Sequence, residues 1–313
     1  MIRALVILVV LAPFFAFAEK APAVGAESLK HPVKAALWKV EGKGLEKPSY
    51  LFGTIHLSDP RVVKLHPNAE AAFEASSHFY AEIDLDPAAQ VKLVPKMMRT
   101  DGKTLSESIG PDLTKALDAQ LKAISPQMSS ASFQSMKTWA IYATLPVLEL
   151  QMKYAGKPAL DTVLYNRAKS ENKTVGALET AESQLKIFDS LKEEEQVKLL
   201  ASTIEAMKKD KAEGKDSIKE LLDAYLTKDV PTIGAIIKKF MEEDQPEDAE
   251  LAERLINALL DDRNIKMADT IEKQLTQSPK GVHFFAVGAA HYTGKTAVQD
   301  LLIKKGYTIT SAF

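Results

Sequence analysis

Near its N-terminal end the chain carries Tyr50-Leu51-Phe52-Gly53-Thr54-Ile55-His56, and near its C-terminal end His283-Phe284-Phe285-Ala286-Val287-Gly288-Ala289-Ala290-His291. Both are apolar runs that close on Gly-x-x-His. A short apolar run ending at a glycine reads as a buried strand meeting a turn, which sets the histidine just past the strand end, where open α/β sheets place their ligands. If the two histidines serve one site, the fold must bring the two ends of the chain together. That requirement predicts an α/β fold whose N-terminal and C-terminal parts each donate a Gly-x-x-His turn.

A third strand is predicted at His78–Leu85. Alternation there puts Phe79, Ala81, Ile83 and Leu85 on one face and Tyr80, Glu82 and Asp84 on the other. Two acids on one strand face are either solvated at an edge or, if central, need a cation or an arginine to offset their burial. A hairpin is expected from Ala35–Val40 and Ser49–Gly53, with a turn-rich stretch between them. From Pro87 to about Tyr225 the pattern is mostly helical, interrupted by a short strand at Thr174–Leu178. Glu247–Gln277 reads as one long helix, and the chain closes with a strand, a helix at Lys295–Lys305 and a last strand at Tyr307–Thr310. This predicts a central mixed β-sheet with flanking helices, a single domain over 34–313 and a large helical cap at about 87–245.

Residues 1–18 form a secretory signal peptide by pattern: Arg3 supplies the positive start, Ala4–Phe15 the apolar core, and Ala16-Phe17-Ala18 a cleavage site. The apolar core is shorter than the roughly 20 residues a membrane span needs, so no stable span is expected after cleavage behind Ala18. Residues 19–33 read as a flexible mature N-terminus, and a periplasmic or secreted location follows. Cysteine is absent, so neither disulfides nor thiolate chemistry is available and any metal must be held by His and carboxylates. A formal net charge of -2 lacks the basic excess that nucleic-acid binding requires. Nothing in the sequence sets an oligomeric state.

No H-E-x-x-H, G-x-S-x-G or G-x-G-x-x-G occurs. The turn Gly288–Thr296 fails the P-loop pattern because Ala289 stands where its first glycine is required. What remains is His56, Glu82 and His291, two imidazoles and a carboxylate, a recognised donor set for a divalent metal with open positions.

Five stretches in order resemble the TraB/GumN family, whose animal relatives include the TIKI metalloproteases and whose fold is similar to the erythromycin-esterase and ChaN-like proteins. They are Leu51–His56, Ala81–Leu85, Leu160-Asp161 with Gly176–Thr180, Arg263–Ala268 and Val287–His291; Ala159 departs from the glycine common in the family before Leu-Asp. The resemblance implies a metal site at His56, Glu82 and His291, with Arg263 in the active site. Glu82 would be a ligand or the general base, and Arg263 would stabilise an oxyanion or hold Glu82 or Asp84. Tyr80, Asp84 and Asn264 are expected around these residues. The expected activity is exported, metal-dependent hydrolysis of a peptide or other small extracytoplasmic substrate, with manganese, cobalt or zinc as the metal. The alternative is a non-catalytic envelope protein that binds haem, a metal or polysaccharide.

Overall fold

The computed structural model describes residues 30–34, 36–154, 156–243 and 249–312. The expected signal peptide and most of the expected flexible N-terminus lie outside these residues. Among them no helix is long and apolar enough to cross a membrane.

Six strands build one mixed sheet: β1 (Leu37–Glu41), β2 (Ser49–Thr54), β3 (His78–Ala81), β4 (Thr174–Ala177), β5 (His283–Gly288) and β6 (Thr308–Ser311). Their order is β4-β3-β5-β2-β1-β6. The strands β4, β3, β5 and β2 run parallel to one another, while β1 pairs antiparallel with both β2 and β6. The expected hairpin is therefore β1–β2, and the two Gly-x-x-His strands are direct neighbours, with Gly53 opposite Val287 and Thr54 opposite Gly288.

The sequence of β5 explains its place. All six of its residues are buried, as a central strand covered by helices on both faces requires. Alternate side chains feed two apolar layers. Phe52, Phe79 and Phe284 join the layer made with the middle helices, and Leu51, Phe285 and Val287 join the layer made with the helices Asp262–Gln277 and Val298–Lys304.

The middle of the chain is helical, as its periodicity predicts, but β4 arises within it and pairs with β3. The segment expected as a cap over about 87–245 therefore also contributes to the sheet. Within Leu105–Ile124, Gly110 has φ 78° and ψ 168°, a conformation costly for any other residue, and Pro111 follows it. This kink separates Leu105–Ile109 from the helical stretch that follows. Thr104 and Glu107 close a reciprocal cap at its start.

Two predicted boundaries move. The strand expected to run to Leu85 ends at Ala81, although Phe79, Ala81, Ile83 and Leu85 do share one apolar layer. The long helix expected over Glu247–Gln277 is seen from Ala249 to Gln277, with a π-helical turn at Asn257–Asp261 inside it. The last helix begins at Val298 rather than Lys295.

Candidate functional site

Parallel pairing fixes where the chemistry gathers. The chain leaves β3 toward β4 and leaves β5 toward β6, on the opposite side, so the neighbours β3 and β5 flank a topological switch point. Glu82 directly follows β3, Gly288 ends β5, and His56 lies two residues beyond β2. His291 follows on a 3-10 turn, Ala289–Tyr292.

All three predicted donors meet. The Nε2 atoms of His56 and His291 stand 3.7 Å and 3.8 Å from Glu82 Oε1. Both are buried without a hydrogen-bond partner among the described residues. The opposite ring nitrogens are engaged: His56 Nδ1 donates to Asp161 Oδ2 at 2.7 Å, and His291 Nδ1 donates to Asn264 Oδ1 at 2.5 Å. Donation from Nδ1 leaves each neutral ring with its lone pair on Nε2.

Glu82 is 1% exposed and fully engaged. Its Oε1 accepts from the Gly288 N–H at 2.7 Å, and its Oε2 accepts from Arg263 at 2.5 Å and Gln184 at 3.4 Å. Arg263 also donates to Glu179 Oε1 from Nε and a terminal nitrogen, and to the Leu259 carbonyl. One buried guanidinium thus binds two carboxylates, as burial of such charges demands. The Leu259 carbonyl belongs to the π-helical turn, a feature that recurs at functional sites.

The surroundings pull the two imidazoles apart. Burial opposes charging His56, but the charge and hydrogen bond of Asp161, helped by Glu82, overcome it and hold its pKa above the ordinary value. Burial, with Arg263 and His56 nearby, pushes His291 well below it. Burial likewise opposes ionisation of Asp161, yet His56 and the Thr54 hydroxyl keep its carboxyl below the usual range.

The glycines have separate reasons. A Cβ on Gly53 would come within 2.7 Å of Ala36 Cβ, so its role is close strand packing. A Cβ on Gly288 would stand 3.1 Å from Glu82 Oε1, 3.5 Å from His56 Nε2 and 3.7 Å from His291 Cδ2. The space beside Gly288 is therefore the common focus of the three donors. Two ligands each held ~2.1 Å from one ion lie at most about 4.2 Å apart, and both donor separations fall inside that bound. Orphaned Nε2 atoms, the cradle at Gly288 and the mixed imidazole–carboxylate chemistry fit a divalent ion. Among the described residues, however, no group of three or more His, Cys, Asp or Glu side chains is placed to hold a metal ion, and Glu82 is bonded to Arg263 and Gly288 instead.

Tyr80 and Asp84 are not brought to this focus. Tyr80 stacks on Phe285 and donates to Gln274, over the space that Gly176 leaves open. Asp84 is exposed and accepts from Tyr165. The sequence reading assigned no role to Asp161, Glu179, Gln184 or Thr54, although Leu160-Asp161 and Gly176–Thr180 were among the stretches it singled out. Their signal is a buried partner far along the chain, which local spacing does not display.

A model of the TraB/PrgY/gumN family matches residues 36–311. Among curated proteins, a Metalloprotease TIKI homolog of Nematostella vectensis is 25% identical over 84% of this chain and 64% of its own length. Metalloprotease TIKI2 of Danio rerio is 25% identical over 87% of this chain and 60% of its own. Metalloprotease TIKI1 of Homo sapiens is 24% identical, with 88% and 61% covered. The chain spans less than two thirds of the length of these relatives. No solved structure matches it, and the expected likeness to erythromycin-esterase and ChaN-like folds is not shown.

Proposed function

This chain belongs to the TraB/PrgY/gumN family, and we propose that it is a metal-dependent hydrolase of peptide or amide bonds. One observation carries the reading: two buried imidazoles present unpartnered Nε2 atoms to the same oxygen of a buried glutamate. The metalloprotease names of its relatives support it.

His56 and His291 through Nε2, and Glu82 through Oε1, would hold a divalent ion; imidazole with carboxylate suits manganese, cobalt or zinc. Such an ion, when bound, polarises a carbonyl and makes water acidic near neutral pH. The chain's own residues prepare the place. Asp161 and Asn264 anchor the Nδ1 protons and so aim the Nε2 lone pairs. Arg263 binds Glu82 Oε2, which leaves Oε1 turned toward the imidazoles. That assigns Arg263 a positioning role rather than contact with an oxyanion. A carboxylate at Glu82 would also serve as the proton acceptor of the reaction.

The signal-peptide pattern at 1–18 supports a periplasmic or secreted setting for this activity, where a peptide is a natural substrate. A second reading has its own support. Glu82 accepts three hydrogen bonds that engage both of its oxygens, which competes with a role as proton acceptor and suits a site that binds without turnover.

The test is elemental analysis of the purified mature protein together with a peptide-library cleavage assay, with and without chelator. Retained metal with chelator-sensitive cleavage supports the hydrolase. Retained metal with no cleavage, in Glu82→Gln and the unaltered protein alike, supports the binder. Absence of any divalent metal, with activity unchanged in His56→Ala and His291→Ala, overturns the site.

A further inference from the structure

Next to this site lies a cavity of about 220 Å³ with apolar walls from Leu37, Trp38, Val230 and Ile233. Its lining includes the start of β1, where Leu37 pairs with Phe52 near the end of β2 and so lies at the same edge of the sheet. Two of its aromatic residues reach back toward the candidate donors. Tyr225 donates to the Gly53 carbonyl at 2.9 Å and lies within the field of Asp161. Trp38 packs at 4.6 Å, centroid to centroid, on Tyr292, the residue after His291.

The mouth is cationic. Lys34 and Lys228 line it with Asp229; Lys34 stands 3.8 Å from Asp229. Lys228 is exposed and forms no ion pair among the described residues. One acidic and two basic groups leave a net positive rim over an apolar floor. The space suits one bulky side chain, and the rim suits a carboxylate beside it.

We propose that this cavity is a subsite for the C-terminal residue of a peptide, taking its bulky apolar side chain against Trp38 and Ile233 and its carboxylate at Lys228. The inference rests on the peptide-hydrolase reading, of which it names the substrate class. It predicts preference for peptides ending in a free, apolar or aromatic residue. The subsite is built from β1 and the helix starts near Val230, so it exists whether or not a metal is bound.

That independence sets the experiment. The chain has two tryptophans, and Trp139 is fully buried among the middle helices, which leaves Trp38 as the reporter. Chelator-treated mature protein is titrated with N-acetyl-phenylalanine while tryptophan fluorescence is followed. A saturable change is expected, absent in Trp38→Phe. Binding is expected to weaken about threefold for the amide in place of the acid and by a similar factor in Lys228→Glu, with Lys228→Arg restoring it, the size of a partly exposed ion pair. No saturable change, equal binding of acid and amide, or persistence of the signal in Trp38→Phe overturns the subsite. Saturable binding without any peptide cleavage would instead count against the hydrolase reading alone.

Discussion

His56 Nδ1 donates to Asp161 Oδ2 at 2.7 Å, and the same carboxylate accepts from Thr54. The strand end that carries His56 is thereby tied to the first turn of the helix Leu160–Ser170. Outer partners of this kind fix ring orientation and raise ligand basicity. Asp161→Asn is expected to lower divalent-metal affinity about 10–100-fold, read by competition with a chromogenic chelator. Equal affinities would show that Asp161 does not orient the ring.

Gly288 sits where the three donors converge. Gly288→Ala places a methyl group 3.1 Å from Glu82 Oε1 and close to both imidazoles. Metal binding should be lost while far-UV circular dichroism and the unfolding transition stay near those of the parent. Gly53→Ala should differ, because its Cβ meets the packed side chain of Ala36 at 2.7 Å. There the loss is of stability first.

Arg263 is 2% exposed and bonds both Glu82 and Glu179. Arg263→Met leaves two buried carboxylates without their cation, a change expected to cost about 3–5 kcal/mol by denaturant unfolding. Combining it with Glu82→Gln and Glu179→Gln should recover part of that loss. If the single variant is as stable as the parent, the triad does not hold the site together.

Acid stability should depend on Asp59. Burial raises the pKa of its carboxyl, but hydrogen bonds from Arg61 and Tyr154 outweigh this and hold it below the usual carboxylate value. A depressed folded-state pKa contributes stability that is present above the unfolded value of about 3.9 and is lost as pH falls through the folded value. The gap in melting temperature between the parent and Asp59→Asn should therefore be widest above pH ~4 and close as the pH drops below it. A gap independent of pH would remove Asp59 from the account.

Much of the fold was open to reading from the sequence because its signals are local. The runs at Leu51–Gly53 and Phe284–Gly288 are apolar without alternation, which marks strands buried on both faces, and both prove central. At His78–Leu85 the alternation did place Phe79, Ala81, Ile83 and Leu85 in one apolar layer, but the hydrogen-bonded strand ends at Ala81, which the side-chain pattern does not display. The π-helical turn at Asn257–Asp261 was equally hidden. One extra residue in a helical turn leaves no trace in a 3.6-residue period, and the Leu259 carbonyl within it accepts from Arg263.

The sequence by itself determined which donors the chain owns: with no cysteine and no compact motif, chemistry fell to His56, Glu82 and His291, each placed at a strand end. Only the tertiary structure decided what those donors are like. Parallel pairing of β2, β5 and β3 brings them to one edge. Asp161 and Asn264 then turn the two rings, and Arg263 and Gly288 hold the carboxylate. Asp161, Gly288 and the pair Arg263–Asn264 lie on three separate segments, and such bonds form only when burial makes an unpartnered polar group too costly to leave.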